Sequence, residues 1–183
     1  KGTQCKLLHN AIKKAGMDSI ILDFPDYSTT IGKEIRLFLD GRKSYSKEVQ
    51  HLLLSVNRWE KKEDIEKIRK SGTIIIMDRY YQSNLVYGLS HDLDLNWLIN
   101  LDKGLPQEDL VIILEIDPET SYKRVNHNRD IFEKNLEFLL TVKENYRKLG
   151  KVYEWKIING EEKVEQIHNK ICGLLKEKLN IFI

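Results

Sequence analysis

A lysine and a hydroxyl side chain stand directly ahead of a helical pattern at the start of the sequence, where they could bind phosphate. The residues are Lys1, Gly2, Thr3 and Gln4. A lysine followed by a hydroxyl residue before a helix is the closing half of a phosphate-binding loop, in which the lysine neutralises phosphate and the hydroxyl supports magnesium. Only this closing half is present, so the group also fits an exposed lysine before a threonine that caps a helix.

A carboxylate and a guanidinium form the second candidate group. Asp78 and Arg79 directly follow the apolar run TIIIM. A carboxylate at the end of a buried strand can hold a magnesium ion or its water shell, and an arginine offers a planar fork to a phosphate. The alternative is a structural ion pair at the rim of a sheet.

The stretch HLLLSVNRWE supplies a third group. Leu54 and Arg58 are four positions apart and share one face if the stretch is helical. An apolar surface beside a bidentate donor suits a flat base that carries carbonyl oxygens. The alternatives are core packing for Leu54 and a solvent ion pair of Arg58 with Glu60 or Glu63.

The elements that must position these groups alternate between helical periods and short β-branched runs, which indicates an α/β fold. An apolar stripe predicts a first helix that Gly16 ends. The predicted strands are SIILDFP, TIIIM, LVIILEI and WKIIN; the other helical patterns are TTIGKEIRLFLDG, SKEVQHLLLSVNRWEKKEDIEKIRKSG with a break near Lys61, and about Glu161 to Leu179. Four strands separated by helices imply right-handed parallel crossovers, and ligands of such sheets lie beyond the carboxyl ends of the strands.

Bulk properties narrow the classes of function. The 183 residues fit one domain, and 30 basic against 28 acidic residues give no reason to expect a nucleic-acid or membrane-surface partner. Cys5 and Cys172 provide neither a disulfide framework nor metal-ligand spacing. No stretch is apolar for long enough to span a bilayer. These features predict a cytoplasmic protein.

Several separated blocks together resemble the thymidylate kinases. They are FPDYSTTIGKEI, HLLLSVNRWE, TIIIMDRYYQSNLVYG, KGLPQEDLVIILEI, and SYKR followed by RDIFE, in that order, and the resemblance runs from Lys1 to about Gly160. It implies a single nucleoside monophosphate kinase domain over residues 1–183 with a P-loop three-layer α/β fold. In that fold, helices cover both faces of a parallel sheet of about five strands, the first mostly missing from this sequence. An acceptor-binding helical region is expected at about 27–60 and a lid at about 122–133.

The activity that the resemblance implies is transfer of the γ-phosphoryl group of ATP to dTMP, with Mg²⁺ as cofactor, giving dTDP and ADP for dTTP biosynthesis. Such catalysis consists mostly of positioning and charge neutralisation. The family is commonly homodimeric, and the apolar stripe of Val49, Leu52, Leu53 and Val56 could serve either a dimer interface or the core.

The resemblance also assigns roles residue by residue. The implied catalytic residues are Lys1, Asp78, Arg79 and Arg129, and the implied metal ligands, directly or through water, are Thr3 and Asp78. ATP is expected to meet Lys1, Gly2, Thr3, Gln4, Arg124, Arg129 and Asn159. dTMP is expected to meet Phe24, Tyr27, Leu54, Arg58, Arg79, Ser83, Asn84, Tyr87 and Phe132.

This sequence departs from the family pattern at three places. Leu54 stands where many relatives have an aromatic residue that stacks on thymine, and Phe132 stands where a tyrosine is common. The first strand and the loop glycines are missing ahead of Lys1. We therefore expect roughly ten to twenty further residues upstream in the expressed protein, enough for one strand and the loop.

Three other functions compete with this interpretation. An adenylate or uridylate/cytidylate type of kinase is the near alternative, because K-G-T-Q resembles the adenylate kinase loop. A deoxynucleoside kinase shares the scaffold and requires a carboxylate base after the second strand, for which Asp23 or Asp26 are candidates. A nucleotide-binding protein without turnover is the distant alternative.

Overall fold

Parallel strands and helices alternate along the chain in the computed structural model, which describes residues 1–120, 131–132 and 135–183. The strands of this region are β1 (Ser19–Asp23), β2 (Ile74–Asp78), β3 (Ile112–Glu115) and β4 (Lys156–Asn159). Its helices are α1 (Gly2–Lys14), α2 (Thr30–Leu39), α3 (Lys47–Trp59), α4 (Lys62–Lys70), α5 (Tyr81–Ser90), α6 (Leu95–Leu101), α7 (Leu136–Val152) and α8 (Val164–Leu179).

The strands form two parallel pairs. β1 pairs with β2 so that Asp23 lies opposite Asp78, and β3 pairs with β4 so that Glu115 lies opposite Asn159. Over the described residues no ladder joins the two pairs, and four of the expected strands are present. The predicted α/β class is confirmed, since each parallel neighbour is reached through helices.

Two predicted helix boundaries are confirmed and one is wrong. Gly16 follows the first helix with a φ of 80°, and the helical pattern is interrupted at Lys61, between α3 and α4. The last helix begins at Val164 instead of about Glu161. The Asn159 side-chain oxygen accepts the Glu161 N–H at 2.9 Å, which holds the chain in a turn before the helix.

The core consists of apolar clusters that fix α5 directly behind the end of β2. The largest cluster joins α5, α6 and α7 and includes Leu85, Val86, Leu98, Val142, Leu149 and Trp155. A second cluster contains Phe24, Ile65, Tyr80 and Leu105, and a third contains Ile35, Phe38, Leu39 and Phe132. In the part of the chain that is described, no helix combines the length and apolarity needed to cross a membrane.

Candidate active site

A cavity opens beyond the carboxyl ends of β1 and β2. It is lined by Phe24, Pro25, Tyr27, Leu39, Leu54, Arg58, Arg79, Tyr80, Ser83, Asn84, Tyr87 and Phe132. All nine residues predicted to meet the acceptor nucleotide are therefore brought together. Pro25 and Tyr80 were missed although they adjoin predicted residues in the FP and DRY groups, and no sequence signal marked Leu39.

Aromatic rings form much of the cavity wall. The rings of Tyr87 and Phe132 lie 5.5 Å apart, and those of Phe24 and Tyr80 lie 5.6 Å apart, measured between centroids. The Tyr80 hydroxyl is buried without a hydrogen-bond partner among the described residues, and burial raises the pKa of this phenol. A cavity with flat apolar walls and a buried polar group without a partner suits a planar ligand with polar edges.

Arg79 directly follows β2 and has a strained backbone conformation. Its φ is 68°, in the left-handed region that costs a residue with a Cβ about 1–2 kcal/mol. The guanidinium lies 5.7 Å from the centroid of the Tyr87 ring. This geometry aims a planar cation at the cavity, and strain of this kind concentrates at functional sites.

Asp78 lies against the first turn of α1. A Cβ added to Gly2 would be 3.6 Å from the Asp78 carboxylate oxygen Oδ2, so the K-G-T group and the end of β2 are neighbours. Thr3 belongs to the same helical turn. The described residues contain no cluster of three or more His, Cys, Asp or Glu side chains able to hold a metal. A carboxylate with a hydroxyl fits Mg²⁺, which takes few protein ligands and keeps waters or substrate phosphates.

Two residues of the NRWE group hold the loop after β1. Asn57 accepts the Asp26 N–H at 2.7 Å, and its amide nitrogen donates to the Asp26 carbonyl and to the Thr29 hydroxyl. Glu60 accepts the Thr29 hydroxyl at 2.9 Å. Asn57 itself is fully buried, so its side chain is fixed in place, and these bonds hold the loop that contributes Phe24 and Tyr27 to the cavity.

Arg58 forms a buried ion pair that the sequence did not indicate. Its Nε and Nη2 donate to the two carboxylate oxygens of Asp102 at 3.0 and 2.6 Å, and both side chains are at most 4% exposed. The expected alternative of a solvent pair with Glu60 or Glu63 is wrong. The reason is that α3 buries this face against the end of α6, 44 positions along the chain.

The Asn84 side chain is hydrogen-bonded to His51, which in turn contacts His91. The ring Nδ1 of His51 lies 2.6 Å from the amide oxygen of Asn84, and His51 Nε2 lies 3.1 Å from Nδ1 of His91. Burial and the neighbouring His51 lower the pKa of His91 to about 4, and burial also lowers that of His51. Both rings are therefore neutral near pH 7, and His51 Nδ1–H donates to Asn84. Sequence reasoning missed both histidines.

The residues predicted for ATP lie along α1 and the end of β4, away from the cavity lining. Gln4 donates to the backbone oxygen of Val164 at 2.8 Å, which ties α1 to the start of α8. Asn159 ends β4 a few residues before that point. Arg124 and Arg129, and with them most of the predicted lid, lie outside the described residues.

Neither carboxylate proposed as a nucleoside-kinase base lines the cavity. Asp26 accepts the Ser28 hydroxyl at 2.6 Å and pairs with the Lys61 ammonium at 2.9 Å. These contacts hold the pKa of Asp26 down at about 2. A carboxylate this acidic is a weak general base near pH 7, which disfavours the deoxynucleoside kinase alternative.

Comparisons with known proteins agree on one family. The sequence profile of the thymidylate kinases matches residues 1–171. A thymidylate kinase of Dictyostelium discoideum is 34% identical over 95% of this chain and 78% of its own length. A probable thymidylate kinase of Thermococcus onnurineus is 38% identical over 98% of this chain and 93% of its own. The solved structure of the Candida albicans thymidylate kinase superposes with a TM-score of 0.87 at 29% identity, covering 98% and 87% of the two chains.

Proposed function

Because the chain belongs to the thymidylate kinase family, we infer that it transfers the γ-phosphoryl group of ATP to dTMP, giving dTDP and ADP. The observation that carries this inference is the cavity beyond β1 and β2. Its wall contains the Arg79 guanidinium directly after β2, the buried Arg58 guanidinium of α3, and aromatic rings. These are the groups needed to hold a phosphate at one end and a flat base at the other.

The acceptor is proposed to lie with its base toward α3 and its phosphate toward β2. Arg58 donates to the base carbonyl, while Ser83 and Asn84 meet the N3 edge. Tyr87 lies beneath the sugar, where a bulky ring disfavours a ribose 2′-hydroxyl. Arg79 and the Tyr27 hydroxyl take the 5′-phosphate. Support comes from the cavity, which all six side chains line.

The transferred phosphoryl group is proposed to move between the α1 end and Arg79. Lys1 and the α1 amino end neutralise the ATP phosphates, and Arg79 holds the attacking phosphate oxygen in line. Arg129 from the lid adds positive charge, and Arg124 stacks on adenine. The closeness of Gly2 to Asp78 supports this arrangement, because a Cβ added to Gly2 would lie 3.6 Å from Asp78 Oδ2, which puts the donor and acceptor ends side by side.

Magnesium is proposed to bind at Thr3 and Asp78, directly or through water. When bound, it neutralises phosphate charge during transfer. The oxygen donors of these residues and the position of Asp78 against the first turn of α1 support the assignment.

A homodimer formed through α3 is also proposed. Val49, Leu52 and Val56 are 37%, 41% and 42% exposed on one helical face, whereas Leu53 packs into the core. An apolar stripe left in water favours burial against a second copy. Sedimentation velocity is expected to give a dimer for the wild type and a monomer for Leu52→Asp; a monomeric wild type would contradict the proposal.

A cytoplasmic location is proposed as well, supported by the two free thiols.

An acceptor panel tests the main assignment. ADP release from ATP and magnesium is measured with dTMP, dUMP, dCMP, AMP and thymidine, a useful range because the Candida albicans relative has broad substrate specificity. The highest kcat/KM is expected with dTMP. Turnover confined to AMP would indicate an adenylate kinase, and turnover of thymidine a nucleoside kinase. ATP binding without any ADP release would indicate a protein that has lost catalysis.

A further inference from the structure

We propose that Asp102 is a positioning residue which holds the Arg58 guanidinium so that it selects pyrimidines with a carbonyl at C4. The proposal rests on the function inferred above, in which the base lies against Arg58. It assigns a role to the KGLPQEDL block, which directly follows Asp102 in the sequence and which the acceptor contacts leave unexplained.

The geometry leaves the guanidinium one orientation. Nε and Nη2 of Arg58 both bind Asp102, one to each carboxylate oxygen, in a bidentate pair. Such a pair prevents rotation of the planar fork, and burial shields it from competing water. Arg58 lines the cavity and Asp102 does not, so Asp102 lies behind the arginine and acts through it.

Asp102 is itself held by its surroundings. The Ser55 hydroxyl, on the same helix as Arg58, lies 2.8 Å from its Oδ1 and 3.0 Å from the Leu101 oxygen, and both oxygens are acceptors for its one hydrogen. The backbone N–H of Leu105 donates to the Asp102 carbonyl at 3.1 Å, which closes a turn through Gly104 with a φ of 102°. Leu105 is only 3% exposed, so its side chain anchors this turn in the core. The G-L-P group thereby positions the carboxylate that positions Arg58.

A fixed guanidinium discriminates by hydrogen-bond polarity, because it has donors and no acceptor. The base of dTMP or dUMP presents a carbonyl oxygen at C4, which accepts from Arg58. The base of dCMP presents an amino group there, and two donors facing each other in a buried site leave both unsatisfied. Losing the Asp102 contact lets the guanidinium turn away, and the penalty against dCMP falls.

The test measures kcat/KM of Asp102→Asn with dTMP, dUMP and dCMP. The amide keeps the shape of the carboxylate, but its NH₂ faces one of the arginine donors. We expect the dTMP/dCMP ratio of kcat/KM to fall roughly 10- to 100-fold, mainly through KM for dTMP. The dTMP/dUMP ratio is expected to stay within about twofold, because both bases carry the same C4 carbonyl.

Two further variants make the result specific. Ser55→Ala removes the hydroxyl that contacts both Asp102 and the Leu101 oxygen, and we expect a smaller fall in the same ratio, about threefold. If circular dichroism shows that Asp102→Asn is unfolded, the Ser55→Ala variant is used as the test in its place. Trp59→Phe is the control, because it removes the indole N–H bond to the Leu101 oxygen at 2.8 Å, keeps an aromatic ring near Gly104, and removes no hydrogen bond of the Arg58–Asp102 pair. Its dTMP/dCMP ratio is expected to equal that of the wild type.

Arg58→Met separates failure of this proposal from failure of the proposed function. If Arg58→Met loses the dTMP/dCMP preference while a folded Asp102→Asn, or Ser55→Ala in its place, retains it, the positioning role is wrong and the acceptor site stands. If Arg58→Met keeps the wild-type ratio, the base does not lie against Arg58, and the acceptor assignment fails as well. An equal fall of the ratio in Trp59→Phe would show a general loosening of α3 instead of an effect on the guanidinium.

Discussion

Replacing Arg79 by glycine is expected to relieve backbone strain while abolishing most of the enzyme's activity. The backbone at Arg79 has a φ of 68°, which glycine adopts without strain and which costs a residue with a Cβ about 1–2 kcal/mol. Arg79→Ala keeps this strain, whereas Arg79→Gly removes it. Both variants lose the guanidinium that lies over the Tyr87 ring, so their comparison isolates the backbone term.

The magnitudes follow from these two terms. Losing the cation–π contact costs either variant about 0.5–1 kcal/mol. Arg79→Gly relieves the backbone strain of about 1–2 kcal/mol, but glycine also gives the unfolded chain more conformational entropy, which costs about 0.5–1 kcal/mol of stability. Arg79→Gly is therefore expected to be about 0.5–1 kcal/mol more stable than Arg79→Ala. For a chain of this size the difference corresponds to roughly 1–4 °C in Tm. Activity is expected to fall about 10²–10³-fold in kcat/KM with dTMP in both variants, because both lack the guanidinium proposed to bind the acceptor phosphate.

Urea denaturation and the ADP-release assay provide the two readouts. Arg79→Lys is the matched control, since it keeps the positive charge but lacks the planar fork, and its activity is expected to lie between wild type and Arg79→Ala. An Arg79→Gly protein less stable than Arg79→Ala would refute the strain argument. Wild-type turnover in either uncharged variant would refute the role of Arg79 at the acceptor phosphate.

Three further predictions concern the base, the histidine pair and the glycines. Leu54→Phe adds a ring to the cavity wall and is expected to lower KM for dTMP about three- to tenfold; a raised KM would mean that the cavity has no room for the ring. The pKa of His91 is lowered from 6.5 to about 4, so the unfolded chain binds a proton that the folded site excludes, and the free energy of unfolding is expected to fall as pH drops from about 6.5 to 4. His91→Phe should make this pH dependence shallower, and an unchanged slope in urea titrations would exclude His91 as its source. A Cβ on Gly32 would lie 1.8 Å from the Asp26 carbonyl oxygen, whereas nothing lies within 4 Å of one on Gly173 in α8. Gly32→Ala is therefore expected to cost at least about 2 kcal/mol and Gly173→Ala to add about 0.5–1 kcal/mol; equal stabilities would contradict the close packing at Gly32.

Local sequence patterns predicted the elements well, because their causes are local. The apolar run of Ile74 to Met77 became β2, the stripe of α1 ended before Gly16, and the break at Lys61 lies where it was expected. The start of α8 was missed, since the turn there includes a hydrogen bond that the Glu161 N–H donates to the Asn159 side-chain oxygen. The nine residues that the motif blocks predicted for the acceptor all line the cavity, whereas its other lining residues, Pro25, Leu39 and Tyr80, were not predicted.

The sequence alone determined the family and the residue types that line the cavity proposed for the acceptor, because the motif residues lie in contiguous blocks at the ends of strands. Only the tertiary structure decided which partners hold those residues in place. Arg58 is oriented by Asp102, 44 positions away, and Asn84 by His51, 33 positions away. No local period marks a polar pair of that separation, since it exists only once packing has brought two distant elements together and excluded water from between them.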